Sequence, residues 1–374
     1  MDSKLSHSIA EFAVKFCNEL EKDKTTICSP LSAEIMLALL ALGCKNQSHA
    51  ELLKALDMTD DDAIRSSFGF LTSNLKTIER ATLNMANKIY LKKDIKIKPE
   101  FLKDAEQIFE SSLEQLDFEE KIASADTINE WVAHHTNNKI KSIVSPDMFS
   151  SQTNLVMVNA ICFLGHWNKP FKKIFTKDRA FHINNVTTTQ VAQMFEEKFS
   201  CGYGVSPELK SKIIEMHYQG DEASMVIILP DEIEGLNFTL DQLIAGYDVM
   251  ADIANLKRQK VTVQLPKFKV EMTIDLKKLL TKLGVKSIFG ENNSDIDMLL
   301  SNETLFVSEA IQKAYIEVDE KGTEATASTG VVYKLLCKRY YKRFIADRPF
   351  LYLLTARKIP LFIGVYRGIP TATE

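Results

Sequence analysis

Apolar residues near the start of the chain recur at helical spacing. Ile9, Phe12, Ala13, Phe16, Cys17 and Leu20 share one face, which predicts an amphipathic helix. Ser29-Pro30 opens a second helix, with serine supplying a capping oxygen and proline sitting where a missing N–H costs nothing. This helix is apolar nearly all round to Leu42 and ends at Gly43, so a central, buried position is expected. A further helical pattern runs from Ile128 through Trp131 to Ile140. On this reading the first third of the chain is helical, and the texture turns to strands from Asn154. Leu155–Phe163 reads as a strand covered on both faces, and Ala223–Leu229 as another, closed by Pro230. Val261, Val263 and Leu265 alternate with Thr262 and Gln264, as in a half-exposed strand. A helix is expected over Ile274–Leu283, ended by Gly284, and Ala314–Val318, Phe350–Leu354 and Leu361–Tyr366 read as strands. No repeat, low-complexity tract or Pro/Gly/Ser linker interrupts the pattern. One large α+β domain over residues 1–374 is therefore expected.

Composition narrows the functional classes. The formal net charge is -4 on 374 residues, with no global basic field, which argues against a dedicated nucleic-acid binder. The longest apolar run, Ile35 to Leu42, is far short of the ~20 residues needed to cross a bilayer. Cys17, Cys28, Cys44, Cys162, Cys201 and Cys337 form no C-x-x-C pair, and three of them fall in apolar patterns as buried thiols. Met1-Asp2-Ser3-Lys4 leads into a helical pattern, not an apolar signal core, so a reduced cytoplasmic compartment and a monomer are expected. A secreted protein shorn of its leader gives the same text, and the sequons at Asn46, Asn185, Asn237, Asn292 and Asn302 matter in that case.

The search for catalytic chemistry finds no G-x-S-x-G, H-E-x-x-H, Walker loop or G-x-G-x-x-G. His134 and His135 are adjacent, hence about 100° apart on a helix and ill placed to share a metal. Cys162 and His166 are close, but a strand interior normally holds an inert thiol. No catalytic residue, metal or cofactor is expected.

Residues Glu320 to Phe350 ask for an explanation, because about thirty residues show no core pattern, and loops of that length are usually functional. With period two, Thr323, Ala325, Ala327, Thr329 and Val331 fall on one face, and Glu324, Thr326, Ser328, Gly330 and Val332 on the other. The first face is small and uncharged, fit for a crowded sheet interior. A flexible small-residue linker is the plain alternative, though Thr and Val are poor linker residues.

Asp319-Glu320-Lys321-Gly322-Thr323-Glu324-Ala325 resembles the reactive-loop hinge of the serpins. The likeness covers almost the whole chain in order. It includes Ser29-Pro30-Leu31-Ser32, Ala86-Asn87, and the helix with Asn129, Trp131, Thr136, Asn137 and Ile140. Val158-Asn159-Ala160 follows, then Phe163-Leu164-Gly165-His166-Trp167 with Phe171, Thr176 and Phe181. Leu265-Pro266-Lys267-Phe268, Arg348-Pro349-Phe350 and Leu361-Phe362-Ile363-Gly364 complete it.

The resemblance implies a single-domain α+β fold of three β-sheets and about nine helices, with a hinge and reactive loop over 320–347. It implies a hinge of Glu320, Gly322, Thr323, Glu324, Ala325, Thr326, Ala327 and Ser328. The region where the sheet opens would involve Ser29, Ser32, Asn159, Trp167 and Gln312. The family often carries histidine where Gln312 stands, bonding the asparagine that is Asn159 here. An amide can make the same bonds without a pH switch. The implied activity is inhibition of a protease, the partner, through a covalent acyl-enzyme complex as the cut loop inserts as a new strand, a device known for serpins. The register implied by the hinge places the reactive bond at Leu336–Cys337, suited to an apolar pocket and a chymotrypsin-like enzyme. Lys334, Lys338 and Arg339 are alternative cut sites for trypsin-like enzymes. Papain-like cysteine proteases, which read the residue upstream, remain open, as does a non-inhibitory member. Lys338, Arg339, Lys342 and Arg343, interleaved with Tyr340 and Tyr341, suit an acidic patch on the protease or a merely solvated loop.

Overall fold

The computed structural model describes residues 3–20, 23–76, 81–291, 294–300, 304–321 and 341–368. Its helices are α1 Ser3–Asn18, α2 Pro30–Ala41, α3 Asn46–Ala55, α4 Asp61–Lys76, α5 Pro99–Gln107, α6 Lys121–His135, α7 Leu236–Ile244, α8 Val249–Ala254 and α9 Leu276–Lys282. The strands begin with β1 Thr26–Cys28, β2 Ala81–Lys92, β3 Ser112–Leu116, β4 Leu155–Gly165, β5 Lys177–His182, β6 Thr188–Ser206 and β7 Ser211–His217. They continue with β8 Ala223–Pro230, β9 Lys257–Pro266, β10 Phe268–Asp275, β11 Val307–Val318, β12 Lys342–Ile345, β13 Phe350–Ala356 and β14 Ile359–Tyr366.

Two hydrogen-bonded sheets result. One runs β10-β11-β4-β2-β3, the other β1-β14-β13-β8-β7-β6-β9-β12 with β5 also on β6. The second contains two of the three expected sheets, joined because the 19-residue β6 runs continuously through both, with an irregularity between Glu196 and Phe199. All twelve residues of α2 are buried. A helix apolar on every side needs neighbours on every side, and α2 has β14, β4 and β2 as well as α1, α3 and α4. Its core continues through both sheets, from Ile9 to Tyr366. A second core lies under α6, where Ile128 and Val132 share a cluster with Val156, Val158, Ala160, Cys162, Ile311 and Tyr315 of β4 and β11.

Several sequence expectations shift. The first third is not all helical, since β2 and β3 lie in it. The helix predicted to Ile140 ends at His135, because Asn137 and Asn138 take positive φ. The helix predicted from Ile274 starts at Leu276. Ile274 belongs to β10, and Asp275 caps α9 by accepting from the Lys278 N–H. Gly284, at φ +99, ends it as expected. In β9 the half-exposed pattern gives way to burial, Gln264 included. Of the loop expected over 320–347, Lys342–Ile345 forms β12, with Phe344 fully buried. Phe344 follows Lys342-Arg343 and is succeeded only by Ile345 and Ala346 before Asp347, so no periodic run marks it in the sequence.

Candidate functional site

β4 and β11 are parallel and directly paired, from Val307 opposite Leu155 to Tyr315 opposite Cys162. Beyond Tyr315 the two strands separate. Ile316–Val318 stay paired to β10, and Phe163–Gly165 stay paired to β2, but not to each other. One end of the seam is therefore open, at the point where the chain leaves β11. A segment folding back from there into the seam would lie antiparallel to both neighbours. It would replace one parallel pairing with two antiparallel ones, which are slightly more stable per residue.

Midway along the seam three amides stand side by side. Gln312 of β11 is opposite Asn159 of β4, which is opposite Asn87 of β2. Gln312 Nε2 donates to Asn159 Oδ1 (2.7 Å) and to the Ser29 carbonyl (2.8 Å), and its Oε1 accepts from the Ser29 N–H (2.9 Å). Asn159 Nδ2 donates to Ser32 Oγ (2.5 Å) and to Asn87 Oδ1, and Ser29 Oγ donates to the Leu361 carbonyl (2.6 Å). Ser29, Ser32, Asn159 and Gln312 are all fully buried. Because the cap of α2 supplies Ser29 and its first turn Ser32, the network ties this helix to the seam. Gln312 meets each demand with a neutral amide.

At the open end, residues 319–321 are bound to the chain that follows β4. The Trp167 N–H donates to the Lys321 carbonyl (2.7 Å), its indole Nε1 to the Asp319 carbonyl (2.8 Å), and the Phe171 N–H to the Glu320 carbonyl (2.7 Å). Trp167 is fully buried and stacked on Tyr218 at 4.4 Å between centroids. Glu320 is 6% exposed, and its carboxylate pairs with Lys267 Nζ at 2.7 Å and accepts from Thr176 Oγ1 at 2.8 Å. Burial pushes this carboxyl up, but the bonds from Lys267 and Thr176 outweigh it and hold it below the ordinary glutamate value. Lys267 and Thr176 were legible only as members of the family pattern. Their role as a clamp on Glu320 depends on a contact that spacing does not encode.

On the opposite face, the chain leaving α6 crosses the seam. Lys313 Nζ donates to the Ser142 carbonyl (2.8 Å), and Cys162 Sγ to that of Thr136 (3.6 Å). A strand entering the seam has to displace these contacts.

Gly322, Thr323, Glu324, Ala325, Thr326, Ala327, Ser328, Lys334, Leu336, Cys337, Lys338 and Arg339 lie outside the described residues. Among those described, no cluster of His, Cys, Asp and Glu is placed to hold a metal ion, and no helix is long and apolar enough to cross a membrane. Cys17, Cys28, Cys162 and Cys201 are buried free thiols and Cys44 is half-buried. Burial pushes Cys201 up to about 12.

The chain was compared with known proteins. The model of a family described as serpin (serine protease inhibitor) matches residues 7–368. The antitrypsin of Bombyx mori is 36% identical over 361 residues, covering 95% of this chain and 92% of that one. Antichymotrypsin-2 of the same species is 36% identical over 360 residues, covering 95% and 96%. Among solved structures, Serpin48 of Tenebrio molitor superposes with a TM-score of 0.89 at 32% identity, covering 98% of this chain and 99% of that one.

Proposed function

This chain belongs to the serpin family, and from that premise we propose that it is a suicide inhibitor of proteases. In this reading a protease attacks the segment after Glu320 as a substrate. Before the acyl-enzyme hydrolyses, the cut segment enters the seam between β4 and β11. About ten new ladder bonds at ~1 kcal/mol each could offset considerable distortion of the enzyme. Loss of even one oxyanion-hole donor slows deacylation roughly 10²–10³-fold. The observation that carries the reading is the parallel seam, open at the end where residues 319–321 leave β11.

The reactive bond is assigned to Leu336–Cys337, and the target to serine proteases with an apolar pocket. The relatives' names do not choose a target, since two at the same identity are named for trypsin and for chymotrypsin. Leu336 favours the second. Tyr333-Lys334-Leu335-Leu336 also offers a papain-like cysteine protease an apolar residue just upstream of a cut after Lys334 or Leu336. The test is incubation with a protease panel, a search for an SDS-resistant covalent complex, and mass spectrometry of the released C-terminal peptide. A peptide starting at Cys337 with chymotrypsin-like enzymes supports the assignment. One starting at Leu335 with cysteine proteases supports the second reading. One starting after Arg339 or Arg343 refutes the register.

A further inference from the structure

We propose that Cys17 and Cys28 form an oxidisable dithiol, which a peroxide reaching Cys17 through a surface pocket converts to a disulfide that pins α1 to β1. Cys17 lies in the last turn of α1 and is 6% exposed, while Cys28 ends β1 and is fully buried. Both are free thiols, and their side chains are hydrogen-bonded to each other. Cys28 Sγ donates to the Ile363 carbonyl of β14 (3.5 Å), so the proton between the two sulfurs comes from Cys17. The strand geometry agrees. Thr26 and Cys28, two apart on β1, share a face. Thr26 lines one pocket with Cys17, so that face of β1 is turned to the end of α1. The two cysteines stand eleven positions apart in the sequence, a spacing that marks no redox motif.

The pocket supplies what an inert core thiol lacks, a way in and a positive charge. It measures about 220 Å³, and Cys17, Asn18, Leu20, Thr26, Asn237 and Arg367 are among its lining. That room admits a peroxide, which is little larger than water. Arg367 brings the charge, and its Nε is buried without a partner among the described residues. The Cys17 thiolate attacks one peroxide oxygen. The O–O bond breaks, and the second oxygen leaves as hydroxide and takes up the proton that Cys17 lost, giving water and a sulfenic acid on Cys17. Cys28 Sγ then attacks Cys17 Sγ. The S–S bond forms, the S–O bond breaks, and the departing hydroxide takes the Cys28 proton as a second water. Two electrons pass from the sulfurs to the peroxide. Burial pushes the Cys28 thiol well above its ordinary value, so the second step is the slow one and the sulfenic acid accumulates before it. The cross-link also draws Cys28 Sγ off the Ile363 carbonyl, one residue from the Ser29 backbone that holds Gln312.

The test treats the folded full-length chain with a small excess of hydrogen peroxide, blocks the remaining thiols by alkylation, and digests it unreduced with trypsin and a glutamate-specific protease. Cuts after Lys15, Glu19, Lys24 and Glu34 place Cys17 in residues 16–19 and Cys28 in residues 25–34, apart from Cys44. The two peptides should appear joined, lighter by two hydrogens than their sum, and dithiothreitol should separate them. Closing a ring of about 12 residues should raise Tm by about 3 °C, and reduction should reverse the gain. In Cys28→Ser the resolving thiol is gone, and dimedone should capture a sulfenic acid on Cys17. In Cys17→Ser, Cys28 should stay reduced. Unjoined peptides with both thiols alkylated overturn the proposal, as does a cross-link that forms only in denaturant or one that joins Cys17 to Cys44 or Cys337 instead. Oxidation of Cys28 at the wild-type rate in Cys17→Ser overturns entry through Cys17. If a variant fails to fold, the peptide map of the wild type still decides.

Discussion

Replacing Gln312 probes the seam directly. Among the described residues, the Ser29 N–H and Asn159 Oδ1 have Gln312 as their hydrogen-bond partner, whereas the Ser29 carbonyl also accepts from the Ala33 N–H at 3.3 Å. Gln312→Met keeps an unbranched side chain of similar length and removes every bond. It strands two fully buried polar groups at about 1–3 kcal/mol each, so roughly 4 kcal/mol in total. With an unfolding entropy of about 2.1 cal/mol/K per residue, a chain of 374 residues should lose about 5 °C in Tm. Thermal unfolding checks the size of the effect, and hydrogen exchange checks its place. Amides around Asn159 and Gln312 should exchange faster, while those of β13 and β14, in the other sheet, should not. Gln312→Ala should cost more, since a cavity is added to the lost bonds. A Met variant that melts within about 1 °C of wild type, with unchanged exchange in β4 and β11, would refute the claim that this amide holds the seam shut.

Thr323→Arg or Ala325→Arg should turn the inhibitor into a substrate, because an unpaired charge entering a sheet interior costs several kcal/mol. The loop should be cut without an SDS-resistant complex, and trapping at the wild-type level contradicts insertion. A single cut near Leu336 should raise Tm sharply as ladder bonds form, and an unchanged Tm after a clean cut points to a member that does not insert. Glu320→Gln should weaken the open end of the seam at neutral pH. Because the folded carboxyl is held below its unfolded value of about 4.3, its stabilisation is present above that pH and lost as pH falls through the folded value. The Gln variant should therefore show a shallower acid loss of Tm, and equal acid slopes would remove the clamp from the account. Glu34 of α2 has the opposite sign. Burial raises its carboxyl well above the ordinary value, and Oε2 has no partner among the described residues. The stability of this neutral form is complete below about 4.3 and lost as pH rises through the folded value. Glu34→Gln should flatten the alkaline limb of a Tm–pH curve, and an unaltered limb refutes the assignment.

Local periodicity fixed the type of many elements, because side-chain spacing along one segment follows from its own backbone repeat. The all-apolar run after Ser29-Pro30 became the buried α2, and the continuous run from Leu155 became the covered β4. The small-residue alternation after Glu320, and through the family pattern the pairing of Gln312 with Asn159, could also be read from the sequence. Boundaries were less legible, as at Ile140 and Ile274, because caps and left-handed residues end elements where periodicity still continues.

What the sequence did not carry is who meets whom. Gln312 and Asn159 lie 153 residues apart, and no local pattern says that β4 and β11 are parallel, adjacent and separated at one end. The Lys267–Glu320 pair and the pairing of Lys342–Ile345 with Val261–Gln264 arise in the same way. A strand's period says which of its faces is buried, but its neighbour is chosen by packing the whole chain around α2. That long-range choice, through two sheets sharing one core, set the seam and the clamp at its open end.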